Sequence, residues 1–278
     1  SYSYEKLDAE SYAKWGFDYL KYDWCSYGNV INGLPNNDPS KVSSLSYNGG
    51  SVLNTAVKPF KMMGDYLREQ SRDIVFSVCQ YGMSDVWKWG GSVGGNLWRT
   101  TNDITDTWVS VKNIALDQDK SAPYAKPGNW NDPDMLVVGT VGWGNPHKSK
   151  LKPDEQYLHI SLWSLFAAPL LIGCDMEKLD DFTLNLLTND EVIEINQDPL
   201  GKQATSLQTI GELRIYVKEL EDGSKAVGFC NFGQEIVNLS YKDFEKIGLS
   251  GKFNVRDVWR QKDVNKLETT KGEIVLKV

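Results

Sequence analysis

Histidine is almost missing from this chain. Its 278 residues include two, His147 and His159, and neither lies near a candidate Ser or Cys nucleophile. That argues against a Ser-His-Asp hydrolase and against a histidine-rich metal centre. Cysteine is scarce as well: Cys25, Cys79, Cys174 and Cys230 are widely spaced and form no CxxC, so zinc is not expected. No run of about 18 or more apolar residues occurs, and nothing reads as a membrane-spanning helix. No Gly-x-Gly-x-x-Gly follows a first strand, which disfavours a nucleotide-binding domain. The net charge of −7 lacks the basic excess a nucleic-acid partner requires. Neither a signal peptide nor an initiator Met is visible. The chain opens inside what reads as an amphipathic helix, so its N-terminus reads as a boundary left by processing or truncation.

Aromatic residues are abundant. Ten Trp and thirteen Tyr fill a core or offer faces on which sugar rings stack, and composition does not choose between the two. Hydrophobic content of 41% with 24% charged residues is ordinary for a globular protein. The length allows one large domain, or a large and a small one.

Periodicity predicts a helix from Asp8 to Gly16, with Ala9, Tyr12, Ala13 and Trp15 on one side, and then a buried strand, Tyr19 to Asp23. A Gly/Pro/Asn-rich loop covers about residues 26–50. A helix follows from about Ser51 to Gln70, packing through Val52, Ala56, Phe60, Met63 and Leu67. Ile74 to Cys79 is the next strand. A Gly/Trp-rich loop leads to a strand carrying Trp98 and Arg99, and Thr105 to Ala115 is helical, capped by a Thr/Asp cluster. Met135–Val138 reads as a further strand, Asp154–Phe166 as a helix, Pro169–Gly173 as a strand and Phe182–Leu187 as a helix. Strand and helix thus alternate, as in βαβ units.

From about Gly201 the pattern changes to short alternating strands: Leu213–Val217, Ala226–Asn231, Glu235–Leu239, Phe253–Val258 and Ile274–Val278. Turns at Glu-Asp-Gly, Phe-Gly and Ser-Gly separate them. This predicts a C-terminal antiparallel β-sandwich over 202–278 after an α/β domain over 1–201. Five parallel strands precede the boundary, whereas a (β/α)8 barrel needs eight. Either three strands are missing, or the sheet is open and doubly wound.

Four segments decide between these. Leu20-Lys21-Tyr22-Asp23, Trp98-Arg99-Thr100-Thr101-Asn102-Asp103-Ile104, Trp130-Asn131-Asp132-Pro133-Asp134-Met135-Leu136 and Ile195-Asn196-Gln197-Asp198-Pro199-Leu200-Gly201 resemble, in order, glycoside hydrolase family 27. That family comprises α-galactosidases and α-N-acetylgalactosaminidases, also called melibiases. The resemblance implies a (β/α)8 TIM barrel of which this chain holds strands 4–8, followed by a β-sandwich. The first three strands, which in the family supply an acidic pair and a tryptophan for the sugar hydroxyls, lie outside the sequence.

The resemblance also implies roles. Asp23 matches the nucleophile and Asp103 the acid/base of a retaining glycosidase, whose two carboxyl groups stand about 5–5.5 Å apart. Lys21, two residues back on the same strand face, would favour the charged carboxylate and donate to substrate hydroxyls. Arg99 matches a sugar-binding arginine, Asp134 a rim carboxylate and Met135 a pocket wall. Asp132-Pro133 could equally be only a rigid turn. Asp106 is either a helix cap or a charge that raises the pKa of Asp103. Trp130 is expected in the core.

Gln80 and Met83, in Cys79-Gln80-Tyr81-Gly82-Met83, match the segment facing the sugar's 2-position. Their length leans towards galactose, although the glutamine departs from the glutamate of many α-galactosidases. Cys25 matches a disulfide cysteine beside the site whose usual partner precedes residue 1, so it is expected to be unpaired. Cys79 is expected to be a buried free thiol, and Cys174 and Cys230 small buried apolar residues. The sequon Asn238-Leu239-Ser240 falls in an expected strand.

The function implied is removal of terminal α-linked galactose from oligo- or polysaccharides, with no cofactor or metal, by a secreted or periplasmic enzyme. The alternatives are an inactive sugar-binding fragment and a relative acting on α-N-acetylgalactosamine or β-L-arabinopyranose.

Overall fold

The computed structural model describes residues 4–25, 27, 51–142, 144–268 and 272–278. The loop expected over 26–50 therefore lies, Tyr27 apart, outside the described residues, as does the side chain of Val52. The chain divides into two compact units, Ser1–Asp103 with Pro123–Asp134, and Ile104–Ala122 with Met135–Val278.

The first unit is built on a parallel sheet. Its strands β1 (Tyr19–Asp23), β2 (Val75–Cys79), β3 (Leu97–Arg99) and β4 (Trp130–Asp132) pair in chain order. Helix α1 (Glu5–Trp15) ends where Gly16 takes φ 84, a left-handed cap that glycine adopts without strain; the Gly16 N–H donates to the Ala13 carbonyl and the Phe17 N–H to the Tyr12 carbonyl. Of the apolar face expected on α1, Ala9 is fully buried while Trp15 is 68% exposed. Trp15 lies at the helix end and packs edge-on against Tyr12 and Phe17. Helix α2 (Ser51–Arg68) buries Phe60, Met63 and Leu67 in a core shared with Phe76, Val78, Trp87 and Trp98. Each such side chain contributes about 1.5–3 kcal/mol by leaving water. Alternation on β1 turns Leu20 and Tyr22 to this core and leaves Tyr19, Lys21 and Asp23 exposed on the opposite face.

The sheet departs from the expected strands at its far end. Pairing falls on Trp130–Asp132, and Met135–Val138 contributes only an isolated parallel bridge, Leu136 with Ile172. That bridge is also all the pairing in Pro169–Gly173, so the sheet has four strands and not five among the described residues. Pro133 has no N–H to donate, and Asp134 at φ 82 ends the extended run. Leu136 and Val138 are apolar because they are buried in a helix-rich core, where burial and β-pairing write the same residues.

In the second unit, α3 (Trp108–Leu116) is capped by Thr107, whose side-chain oxygen accepts from the Ser110 N–H. Asp106 is not the cap. It accepts from His147 Nε2 and the Lys150 N–H, both at 3.0 Å. A short antiparallel pair, β5 (Thr140–Val141) and β6 (His147–Lys148), precedes α4 (Pro153–Leu165). Pro153 opens α4, and the Glu155 carboxylate accepts from the Lys152 N–H at 2.8 Å. Helices α5 (Asp181–Leu187) and α6 (Asp190–Asn196) follow.

The remaining chain forms an antiparallel sheet of β7 (Thr205–Ile210), β8 (Leu213–Glu219) and β9 (Lys225–Asn231). Two further pairs join β10 (Asn238–Tyr241) to β13 (Ile274–Lys277), and β11 (Lys252–Asp257) to β12 (Lys262–Glu268). The three-stranded sheet is covered on both faces. Tyr216, Ala226 and Cys230 meet Val111, Leu162, Trp163 and Phe166, while Leu213 and Ile215 meet Leu239, Tyr241 and Phe244. This unit therefore runs across Lys202, where the sequence pattern changes. Strands β7 and β12 were not expected, because TSLQTI and KDVNKLE carry too few apolar residues to show a buried face. The strand expected at Glu235–Leu239 lies at Asn238–Tyr241, still including the sequon, and Cys174 is half-buried where full burial was expected.

His159 on α4 is fully buried, and its Nε2 accepts from the Val137 N–H at 3.1 Å. Burial pulls its pKa down from 6.5 to about 3. In the unfolded chain the ring protonates as pH falls below its ordinary value, whereas in the fold it stays neutral. Stability is therefore full above about 6.5 and is lost progressively down to about 3, on the order of 4 kcal/mol. Denaturant midpoints measured across that window should fall with pH, and His159→Gln should flatten the slope.

Candidate active site

Register sets four side chains in one row at the C-terminal edge of the parallel sheet. Asp23 aligns with Cys79, Val78 with Trp98, and Arg99 with Asp132. Asp23, Cys79, Arg99 and Asp132 thus end their four strands side by side and share a face. Ligands and catalytic groups collect at this edge of parallel sheets. Lys21, exposed and two residues back on β1, lies on the same face.

Arg99 organises the row. It is 1% exposed and ion-paired to Asp134 at 2.9 Å and to Asp103 at 3.1 Å. Burial works against its charge, but Asp134, Asp132, Cys79 and Asp103 outweigh it and hold its pKa above the ordinary value. The buried Nε has no hydrogen-bond partner among the described residues. Asp132 is fully buried, and burial raises its pKa against the opposing pull of Arg99. One of its oxygens accepts from the Asp134 N–H at 2.8 Å. The rigid turn read at Asp132-Pro133 is therefore real, and it is also what carries Asp134 onto Arg99.

Asp23 is exposed. Its Oδ1 accepts from the Tyr81 hydroxyl at 2.8 Å, with the Cys25 N–H at 3.4 Å. The Tyr81 ring lies under the Arg99 guanidinium, 5.8 Å from its carbon. Burial, the bond to Asp23 and the charge of Asp103 all push the Tyr81 phenol up, so it stays protonated. Tyr81 therefore meets Asp23 through its hydroxyl and Arg99 through its ring face.

Backbone strain gathers at the same edge. Cys25, Tyr81 and Asp134 follow strand ends with φ of 44, 64 and 82. Such conformations persist where the surroundings enforce them, commonly at functional sites. Gly82 shows how: at φ 78 its backbone lies so close to the loop after β3 that a Cβ would stand 2.0 Å from the Thr100 carbonyl oxygen.

The remaining expected residues divide. Gln80 is buried, and its amide donates to the Met83 carbonyl, closing the loop on itself. The Met83 side chain packs into the core of the first unit. Met135 belongs to the second unit, where its sulfur packs so closely on Gly173 that a Cβ there would clash. Cys25 is an exposed free thiol, and Cys79 a buried one pushed up to about 12 by burial. Trp130, expected in the core, is half-buried.

Residues 1–198 match the family model described as alpha galactosidase A, and residues 210–277 match the alpha galactosidase C-terminal beta sandwich domain. The chain belongs to the alpha-galactosidase A family. It is 38% identical over 264 residues to alpha-galactosidase 2 of Arabidopsis thaliana, covering 93% of this chain and 57% of that protein. It is also 38% identical to an alpha-galactosidase of Cyamopsis tetragonoloba, with 93% and 55% covered. Among solved structures, alpha-galactosidase I of Mortierella vinacea superposes with a TM-score of 0.82 at 26% identity, over 100% of this chain and 69% of that one. The chain spans about half the length of the curated relatives it matches.

Within this alpha-galactosidase A family chain, the sequence did not single out Tyr81 or Asp132. Asp132 becomes visible only once the pairing of β3 with β4 places it beside Arg99. Tyr81 lay in plain sight in the loop after β2. Nothing local marks a tyrosine there as reaching across to β1.

Proposed function

We propose that the full-length protein is a retaining α-galactosidase and that this chain carries both of its catalytic carboxylates. The observation that carries the proposal is the row at the sheet edge, where buried Arg99 joins Asp103 to the strand ends that present Asp23. Asp23 Oδ2 attacks the anomeric carbon of a terminal α-galactoside as the bond to the leaving oxygen breaks, and Asp103 gives that oxygen its proton. Water then attacks the glycosyl ester, Asp103 takes the proton, and Asp23 leaves as carboxylate. The Arg99 contact suits the second half of this cycle, in which Asp103 is charged. In the first half only Oδ1 of Asp103 need meet Arg99, which leaves Oδ2 to carry the proton that the leaving oxygen receives.

Arg99 and Lys21 donate to ring hydroxyls, and Asp134 holds Arg99 in place while accepting from the sugar. Gln80, with Met83 behind it, shapes the wall at the 2-position, Cys25 lines the pocket further out, and Met135 keeps the pocket-wall role that its motif implies. The four paired parallel strands are read as belonging to strands 4–8 of a (β/α)8 barrel over 1–201, with the sandwich over 202–278. The substrate is an α-galactoside oligosaccharide or polysaccharide, and a secreted or periplasmic location fits a polymer met outside the cell. No helix among the described residues is long and apolar enough to cross a membrane.

Full-length protein should hydrolyse an aryl α-galactoside and release the α-anomer first, as followed by NMR. Release of the β-anomer would overturn the retaining assignment. Asp103→Ala should cost on the order of 1,000-fold on natural galactosides but far less on substrates with activated leaving groups. Equal loss on both would remove Asp103 from the acid role.

A further inference from the structure

We propose that Tyr81 is a positioning residue for the nucleophile. Its hydroxyl holds one oxygen of Asp23 and leaves the other aimed at the anomeric carbon. The inference rests on Asp23 being the nucleophile and adds a part that reading does not contain.

Three independent features hold the phenol in place. The O–H donates to Asp23 Oδ1 at 2.8 Å, which engages one carboxylate oxygen and leaves Oδ2 for attack. The Arg99 guanidinium covers the ring, and that arginine is itself fixed by a buried ion pair with Asp134. The backbone at Tyr81 is left-handed at φ 64, and its neighbour Gly82 is pressed against the Thr100 carbonyl, so the loop that carries the ring has little room to relax. A tyrosine that only filled space would need none of this strain.

The chemistry gives the hydroxyl a direction of action. Asp23 is a full carboxylate before attack and a neutral ester in the glycosyl-enzyme. A hydrogen bond to it is strong at the two ends of the cycle and weak in the middle. As the ester C–O bond breaks in the second step, negative charge returns to Asp23, and the Tyr81 O–H stabilises it as it forms. The phenol neither gains nor loses a proton, since burial and its carboxylate neighbour keep it in the O–H form. Tyr81 therefore assists breakdown of the glycosyl-enzyme more than its formation.

Tyr81→Phe in the full-length protein tests this, because it keeps the ring under Arg99 and removes only the donor. On an activated aryl α-galactoside, for which the second step limits turnover, kcat should fall on the order of ten-fold. A pre-steady-state burst should grow as glycosyl-enzyme accumulates, and the acidic limb of kcat/KM should move to higher pH. The melting temperature should stay within a few degrees of the parent. Unchanged kcat with no burst and no shift of the acidic limb would overturn the role of Tyr81. Asp23→Ala, run alongside, separates the two readings. If it leaves turnover intact, the nucleophile assignment itself fails; if it abolishes turnover while Tyr81→Phe changes nothing, only the positioning role fails.

Discussion

In the full-length protein, with Asp23 in its proposed role, Asp23→Ala is expected to lower turnover of aryl α-galactosides by at least about 1,000-fold while leaving the fold intact. Covalent catalysis splits one difficult substitution into two easier ones, and without the carboxylate neither half is available. The structural cost is small because Asp23 is exposed at a strand end, and its hydrogen bonds come from Tyr81 and the long contact to the Cys25 N–H. Neither donor is left buried without access to water or solvent-facing groups. The space vacated is open to a small anion. Azide should therefore restore part of the activity, and the product should be a β-galactosyl azide of inverted configuration. Recovery of activity without inversion, or residual turnover within ten-fold of the parent, would assign the attack to another group.

The second large effect is on stability and comes from Arg99→Leu. Two carboxylates depend on this guanidinium: Asp134, whose side chain is 3% exposed, and Asp132, fully buried beside it. Leucine is close to the right length for the apolar part of the side chain but leaves both carboxylates without their cation. Removing one partner of a buried ion pair typically costs about 3–5 kcal/mol, because the remaining charge is stranded or must take up a proton. Asp132 is already raised by burial, and losing Arg99 pushes it further in the same direction. The loss should therefore shrink at acidic pH, where the stranded carboxyls are neutral. Chemical denaturation at neutral and acidic pH reads this directly. Pairing Arg99→Leu with Asp134→Leu should recover part of the stability, since the charge and its partner then leave together. A loss below about 1 kcal/mol, with no pH dependence, would mean that water reaches the pair and screens it.

Both predictions rely on residues that the sequence made visible to different degrees. Asp23 could be found because Tyr19–Asp23 reads as a strand ending in an acid, and the following Trp24-Cys25 continues a recognisable run. Arg99 and Asp103 lie four positions apart, and Arg99 does reach Asp103. Asp134 was found by its motif, although the motif could not say whether it was a turn or a ligand. The turn holds, and its bond from the Asp134 N–H to Asp132 delivers the Asp134 carboxylate to Arg99. The weaker readings failed where two physical causes write the same residues. Leu136, Val137 and Val138 are as apolar as a buried strand, but they are buried by helices and scarcely paired. Strands β7 and β12 run the other way: they pair in antiparallel ladders although their side chains are mostly polar.

The sequence by itself determined the alternation of strand and helix and the change to short antiparallel strands after Gly201, and it pointed to the two aspartates proposed as the catalytic pair. These follow from periodicity and from four short motifs, and all are local in the chain. Only the tertiary structure decided which side chains meet. Placing Tyr81 on Asp23 joins residues 58 positions apart. Aligning Arg99 with Asp132 depends on strand register, which one residue of slip would reverse. Burial of Arg99, Asp132 and His159, which sets their charge, depends on elements distant in sequence packing over them. A carboxylate's type is written at one position; its ionisation and its aim are set by neighbours that the chain brings together only by folding.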